Sequence, residues 1–197
     1  LISVADAVQR IGTSPQPVCL LDMGDNVGGG SPADGTLLAW ELHRQQVVAF
    51  ICLFDPAAVL AAEAAGIGQR VQLAMGGKTD DRHGPSLVAE VTVRRLADGV
   101  FRESESRHGG YTHFDQGRTA IVETDHGLTI MLTSRRIVPF SLNQLTTFDI
   151  QPQQFQALVA KGVNAPLAAY RPVCPTIIRV NTPGVTTEDT ADMVMAL

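Results

Sequence analysis

The sequence has few charged residues, and those present are not clustered, which excludes several classes of protein. Charged residues make up 18% of the 197 positions, compared with roughly 25% in typical soluble domains. The fifteen basic residues are scattered and the net charge is -5, so the sequence lacks the basic surface of a nucleic-acid-binding protein. The low charge also leaves room for an apolar contact between copies, and thus for a homo-oligomer.

Long hydrophobic runs are missing as well. No apolar run in the sequence approaches the roughly 18 residues of a membrane helix. The first residues, LISVADAVQRIG, have the pattern of a short amphipathic helix rather than of a signal peptide. We therefore expect a soluble protein that binds neither membranes nor nucleic acids.

Cysteine is scarce: Cys19, Cys52 and Cys174 are an odd number and lie far apart. A metal site built from cysteines would need closer spacing. Two of the three are in apolar, strand-like segments, which is typical of buried thiols in a reducing compartment. The sequence therefore predicts a cytoplasmic protein.

Hydrophobic residues make up 45% of the sequence, and their spacing predicts an α/β fold. In the first half, helical patterns alternate with apolar strand patterns, which indicates right-handed βαβ units and a largely parallel sheet. The predicted helices there are 4–11, 36–43 and 56–65, and the predicted strands are 18–21, 47–54 and 71–75.

Two antiparallel hairpins are predicted in the middle of the chain, one joining 87–95 to 100–105 and one joining 119–123 to 128–133. The first contains Asp98-Gly99, and Asp-Gly readily takes the positive φ angles of a tight turn. The last third adds predicted helices at 141–147 and 165–170 and predicted strands at 155–160 and 176–180. We expect one domain over 1–197, with a mixed, mostly parallel sheet flanked by helices and antiparallel hairpins in the middle of the chain.

The stretch MGDNVGGGSPADGT, residues 23–36, is the strongest candidate for a functional loop. It follows a predicted strand and precedes a predicted helix, where open α/β sheets bind their ligands. Ser31-Pro32 has the pattern of a helix N-cap and a first-turn proline. The sequence therefore predicts that an anion or a substrate carbonyl group binds to the backbone N–H groups of Gly28, Gly29 and Gly30.

Known phosphate and calcium loops do not fit this stretch. It has neither a Gly-Lys-Ser/Thr ending nor a G-x-G-x-x-G pattern, and a calcium loop starting at Asp22 would have Gly24 at a ligand position. Asp25 and Asn26 remain as candidates to bind substrate N–H groups or a neighbouring metal site. The alternative is a structural turn in which these two side chains bond their own backbone.

Two lysines are further candidates, because Lys78 and Lys161 each follow a predicted strand. Projecting from the same sheet edge as the loop, they would place positive charge opposite Asp25, which suits a substrate carboxylate or a developing oxyanion. The alternative is a pair of solvated lysines at strand ends.

The histidines and serines carry weaker signals. His108, His113 and Asp115, in HGGYTHFD, could supply three metal ligands, but the H-E-x-x-H pattern of zinc peptidases is absent and a polar loop is the alternative. His83 occurs at a predicted turn, where an exposed histidine is expected. A serine hydrolase is disfavoured because the sequence has no G-x-S-x-G motif.

The loop contains Asp25-Asn26, followed by Gly28-Gly29-Gly30 and Asp34-Gly35-Thr36. This pattern resembles the hallmark loop of the C-terminal domain of MlrC-like proteins, the microcystinase C family of zinc metallopeptidases. Val27 stands where the family often has proline, which should loosen the loop without removing its polar groups. Further matches follow in order along nearly the whole chain: Gly76-Gly77-Lys78, Asp115 with Gly117, Thr119 and Ala120, Thr133-Ser134-Arg135-Arg136, Lys161-Gly162, Ala168-Ala169-Tyr170, and Asn181-Thr182-Pro183-Gly184.

The resemblance implies a division of labour between two domains. The family's zinc ligands lie in an N-terminal domain that this chain lacks, so the resemblance assigns no metal ligand here. Zinc in that domain would acidify a bound water and polarise a peptide carbonyl. This domain would close over it, with Asp25 and Asn26 as catalytic contacts and with Gly28, Gly29, Gly30, Lys78 and Lys161 as substrate-binding residues.

On this interpretation the partners are the N-terminal domain of the same polypeptide and a peptide-like substrate, and the isolated domain would be inactive. The alternative function is non-enzymatic: a regulatory or ligand-binding module that captures a small anion or peptide at its glycine loop.

Overall fold

A computed structural model describes residues 1–105 and 110–186, which form two sheets and five α-helices. The helices are α1 (Val4–Ile11), α2 (Leu37–Arg44), α3 (Pro56–Ala65), α4 (Asn143–Thr146) and α5 (Leu167–Tyr170). The strands are β1 (Val18–Asp22), β2 (Ala49–Phe54), β3 (Arg70–Met75), β4 (Leu87–Ala97), β5 (Val100–Arg102), β6 (His113–Asp115), β7 (Thr119–Thr124), β8 (Leu128–Thr133), β9 (Ala157–Ala160) and β10 (Thr176–Val180).

The main sheet has eight strands in the order β10-β1-β9-β2-β8-β7-β4-β3. The first five of these are parallel to one another, and the last three continue the sheet in antiparallel fashion. This arrangement confirms the predicted α/β class with a mixed, mostly parallel sheet. Strand β3, predicted within a parallel unit, instead pairs antiparallel with β4 at one end of the sheet.

Each face of the sheet has its own hydrophobic core. On one face, buried residues of α1, α2 and α3 pack against alternate residues of the strands. On the other face, α4, α5 and the small sheet formed by β5 and β6 pack against the intervening strand residues. Strand β1 is buried along its whole length, as is typical of a parallel strand covered on both sides.

Local sequence signals explain where the well-predicted helices begin. The Ser3 hydroxyl accepts a hydrogen bond from the backbone N–H of Asp6 at the start of α1. At the start of α3, the Asp55 carboxylate accepts one from the N–H of Ala58 and is followed by Pro56. These are ordinary N-cap arrangements, and both helices have the predicted bounds.

One predicted hairpin is present and the other is wrong. Strands β7 and β8 pair as expected, but β4 pairs with β3 and β7, whereas β5 pairs with β6. A Cβ at Gly99 would overlap the carbonyl oxygen of Gly117, and the N–H of Gln116 donates to the carbonyl of Gly99. The turn at Gly99 therefore directs the chain toward Gly117 instead of back along β4.

Among the described residues, no helix has both the length and the apolar composition that crossing a membrane requires.

Candidate functional site

The candidate site lies where three neighbouring parallel strands end. Asp22 is the last residue of β1, Lys161 directly follows β9, and Asp55 directly follows β2. The loop that starts at Met23 leaves the sheet at the same edge, because it continues from β1. Open α/β sheets place ligands at this edge.

A buried ammonium group organises this edge. The Lys161 side chain is 5% exposed, and its Nζ donates to Asp22 Oδ2 at 3.0 Å, to Asp25 Oδ2 at 2.8 Å and to the Gly35 carbonyl at 2.8 Å. An ammonium has three donors, so all three are used. Burial lowers the pKa of Lys161, but the carboxylates of Asp22 and Asp25 outweigh burial and raise the pKa above its ordinary value.

Asp25 faces the protein interior rather than a cleft, which corrects the expected orientation. Its side chain is 1% exposed, and it accepts hydrogen bonds from the backbone N–H groups of Ala33 at 2.8 Å and Gly35 at 2.7 Å as well as from Lys161. Burial raises the pKa of Asp25, but the Lys161 ammonium and these N–H donors lower it below its ordinary value. The carboxylate has no free side toward a ligand.

The segment after β10 covers the start of the loop. Thr182 Oγ1 donates to Asp22 Oδ1 at 2.5 Å and accepts from the Gly24 N–H at 2.8 Å. Thr186 Oγ1 accepts from the Asn26 N–H at 3.1 Å. We call residues 181–186 the C-terminal strap, since they hold the backbone of the loop from one side.

The glycine run forms a short 3-10 turn over Val27–Gly29 rather than the start of a helix. The N–H groups of Gly29 and Gly30 donate to the carbonyls of Asn26 and Val27. The expectation that both are exposed to a ligand is therefore wrong. Among the described residues no acceptor is found for the Gly28 N–H.

The predicted N-cap at Ser31 is also wrong, because α2 begins only at Leu37, after Thr36. Ser31 is buried, and its hydroxyl lies within hydrogen-bond distance of the Gly24 carbonyl, at 3.3 Å. The serine therefore closes the loop on itself instead of capping a helix.

A groove of about 570 Å³ opens beside this turn. Asn26, Gly28 and Asn164 contribute polar groups to its lining, and Val138, Phe140 and Val163 contribute apolar surface. In the described part of the chain, no hydrogen bond is found for the Asn26 side-chain amide. As far as the described residues go, the Asn26 amide and the Gly28 N–H are thus without partners next to this apolar surface.

Comparison with known proteins settles the family. The family described as MlrC C-terminus matches residues 20–195 of this chain. The chain belongs to the MlrC C-terminus family. The resemblance found in the sequence is thus confirmed.

Two relatives show how much of a longer protein this domain corresponds to. Microcystinase C of Sphingomonas sp. is 26% identical over 148 residues, which are 74% of this chain and 28% of that protein. A crystal structure from Mesorhizobium sp. BNC1, described as a "putative metallopeptidase", is 28% identical and has a TM-score of 0.87, covering 95% of this chain and 37% of that one. The MlrC C-terminal domain therefore spans about a third of the length of these relatives.

The described acidic, histidine and cysteine side chains of this domain are not arranged around a metal ion. Within 1–105 and 110–186, no three His, Cys, Asp or Glu side chains are placed to hold one. His113 Nδ1 lies 3.0 Å from Thr112 Oγ1, and Asp115 forms an ion pair with Arg135. His108 lies outside the described residues. The described donor set does not fit a metal centre.

Lys78 lies near the loop but does not face Asp25. Its ammonium donates to Asp55 Oδ2 at 2.6 Å and to the Ala74 carbonyl at 2.8 Å, and its side chain is 39% exposed. Its backbone N–H donates to Asp34 Oδ2 at 2.9 Å. Lys78 therefore fixes the end of the loop through Asp34 and Asp55, and it is not the fully solvated lysine of the alternative interpretation.

Sequence reasoning missed His83 and the strap. His83 is buried instead of exposed: its Nδ1 lies 2.8 Å from Asp80 Oδ1, and its Nε2 accepts from the Val185 N–H at 3.4 Å. Thr182 lies in a stretch that matches the family, but its contact with Asp22 joins residues 160 positions apart. The sequence signal for the strap is limited to the polar residues and the glycine that follow β10. This strand is parallel to β1 and ends at the same edge of the sheet.

The three cysteines are free thiols. Cys19 and Cys174 are buried in the core on the α4 and α5 face. Burial raises the pKa of the Cys52 thiol to about 12. A thiol with so high a pKa is a poor nucleophile at neutral pH.

Proposed function

We propose that this MlrC C-terminal domain forms one wall of the substrate cleft of a zinc metallopeptidase, together with an N-terminal metal-binding domain of the same polypeptide. The reaction is hydrolysis of a peptide or amide bond. The likeness to Microcystinase C and to the metallopeptidase-like structure supports this reaction class. Both relatives are more than twice as long as this chain, which supports a second domain.

The observation that carries the proposal is the groove beside the pinned loop. Its polar groups suit a peptide: the Asn26 amide can donate to a carbonyl and accept from an N–H, and the Gly28 N–H can donate to a carbonyl. The apolar wall suits an aliphatic or aromatic side chain of the same ligand.

Buried contacts fix these polar groups before a ligand arrives. Lys161 ties the loop to β1 through Asp22 and Asp25, and Thr186 holds the Asn26 backbone. Prepositioned groups lose little conformational entropy on binding, so they orient a substrate effectively. We assign Asp25 and Lys161 the role of holding the loop, and Asn26 and Gly28 the contact with substrate.

Zinc would be supplied by the N-terminal domain and would activate water and polarise the scissile carbonyl. The described residues of the C-terminal domain contribute no metal cluster. Their proposed work is to bind and orient the peptide and to exclude water from the apolar side of the groove.

The test compares the full-length protein with the 197-residue chain. Metal content is measured by mass spectrometry, and hydrolysis is measured with a library of short peptides. We expect bound metal and peptide hydrolysis in the full-length protein, and neither in the chain alone. Stoichiometric metal with hydrolysis by the chain alone would contradict the proposed division of labour, and absence of hydrolysis by the full-length protein would contradict the reaction class.

A further inference from the structure

Arg136 is held in a fixed orientation beside the glycine loop. Its guanidinium carbon lies 5.1 Å from the centre of the Phe54 ring, in a cation–π contact. Its Nε donates to the Pro32 carbonyl at 3.2 Å. The plane of the guanidinium group is thus set by an aromatic face and by the backbone of the loop.

Among the residues that the structure describes, few acceptors are available to Arg136. A guanidinium group has five N–H donors, and in the described part of the chain Nε alone is found with an acceptor. Within the described ranges, no carboxylate lies at ion-pair distance from Arg136. The side chain is exposed, so its terminal nitrogens are open to a ligand.

The adjacent Arg135 differs in this respect. Arg135 forms an ion pair with Asp115, on strand β6. The two neighbouring arginines therefore have different surroundings. Arg135 is neutralised by Asp115, whereas Arg136 is oriented by Phe54 and by the Pro32 carbonyl. This difference provides a matched control.

Arg136 is close along the chain to a residue of the groove, although its own side chain is not among those that line it. Pro32, which accepts from Arg136, closely follows the 3-10 turn that contains Gly28. Val138, two residues after Arg136, contributes to the apolar wall. Reaching the guanidinium group therefore requires a ligand that extends beyond the lining residues of the groove.

We propose that Arg136 binds a carboxylate group of the peptide-like molecule that occupies the groove. The proposal deepens the proposed function and rests on it for the peptide character of the ligand. A planar guanidinium with two free terminal nitrogens matches the two oxygens of a carboxylate.

Local charge favours a carboxylate over a phosphate. Four buried carboxylates belong to the loop region, namely those of Asp22, Asp25, Asp34 and Asp55, and the ammonium groups of Lys78 and Lys161 pair with all of them except Asp34. The resulting excess of negative charge disfavours a doubly charged ligand more than a singly charged one.

The test measures equilibrium binding, not turnover, so that it can fail independently of the peptidase proposal. N-acetyl-glycyl-leucine and its C-terminal amide are titrated into the full-length protein by calorimetry. We expect the acid to bind about tenfold more tightly than the amide, as a charge-assisted pair contributes about that factor. In the Arg136→Gln variant, the affinity for the acid is expected to fall to the affinity for the amide.

Arg135→Gln serves as the control and is expected to leave the ratio of acid to amide affinity unchanged. Arg136→Lys, which keeps the charge but loses the planar fork, is expected to retain only part of the preference. Thermal unfolding of each variant checks that the fold is retained.

Three results would overturn the assignment: no saturable binding of the acid, equal binding of acid and amide by the unmodified protein, or a preference that survives Arg136→Gln. Inorganic phosphate displacing the acid at lower concentration than acetate would overturn the choice of carboxylate.

Discussion

At the scale of single residues, the loop depends on one buried positive charge shared by two buried acids. Burying charged groups is unfavourable unless they are paired and hydrogen-bonded. Lys161, Asp22 and Asp25 satisfy this condition completely, since each of the three lysine donors has an acceptor. The cluster therefore keeps the loop in one conformation as long as all three members are present.

Replacing Lys161 by Met should destabilise the domain strongly, because two buried carboxylates would lose their counter-charge. We expect the free energy of unfolding to fall by about 3–5 kcal/mol, measured by urea denaturation. Adding Asp25→Asn to this variant should restore part of the loss, since one unpaired charge disappears. Arg94→Met removes a surface ion pair with Glu123 and should cost about 1 kcal/mol or less, and an equal cost for Lys161→Met and Arg94→Met would contradict the account.

The stability of the domain should also fall in acid because of Asp25. The pKa of Asp25 in the folded chain lies below its ordinary value of 3.8. A lowered folded-state pKa adds stability above the ordinary value, and this stability is lost as the pH falls toward the folded-state pKa. Free energies of unfolding measured from pH 6 to pH 2 should therefore drop below about pH 4, and the drop should be smaller in Asp25→Asn.

The residue types of the site could be read from the sequence, but their directions could not. Asp25, Asn26 and Lys161 were selected correctly as neighbours of one loop. Whether a carboxylate points outward or inward depends on its partner, and Lys161 is 136 positions away from Asp25. Local spacing carries no information about such a contact, so the inward orientation of Asp25 was missed.

At the scale of elements, the glycine loop and the C-terminal strap lock together through backbone contact. A Cβ at Gly24 would overlap the carbonyl oxygen of Thr182, and a Cβ at Gly184 would overlap the carbonyl of Gly24. Two chain segments can approach this closely only where side chains are absent. The strap is thus part of the structure that positions Asn26.

Gly24→Ala should therefore displace the strap and destabilise the domain, by about 2–3 kcal/mol if the clash behaves as overpacking in a core. The matched control is Gly12→Ala, because Gly12 has φ -66° and a Cβ there has no neighbour closer than 4.0 Å. The measurement is the urea midpoint of unfolding of each variant, which should be lower for Gly24→Ala than for Gly12→Ala. A Gly24→Ala midpoint equal to that of Gly12→Ala would mean that the two segments are not locked.

The bounds of elements with strong local signals were predicted within a residue or two. The partners of strands that pair over long range were not predicted. Helices α1 and α3 have their own N-caps, and the hairpin of β7 and β8 is short and local. By contrast, β4 is an eleven-residue strand that pairs with partners on both sides. The sequence shows that β4 is a strand but not that its neighbours are β3 and β7, because pairing depends on the assembled sheet.

At the scale of the whole molecule, the domain is a two-sided α/β scaffold that presents a groove beside the loop at the ends of its parallel strands. Two hydrophobic cores hold the sheet from both faces, and the polar groups of the groove are anchored to three of its strands. The class of fold and the family were predictable from the sequence. The position of the groove was not, since it depends on Val138, Phe140 and Val163, which carry no distinguishing motif.

The most direct test of the central claim is the kcat/KM of the full-length protein for peptide hydrolysis after Asn26→Ala. We expect a fall of about tenfold or more, as for loss of a hydrogen bond made in the transition state, with bound metal unchanged. Gln9→Ala, at an exposed amide on α1, should leave kcat/KM unaltered. An Asn26→Ala protein with undiminished kcat/KM would contradict the account, because the groove would then not be where the substrate binds.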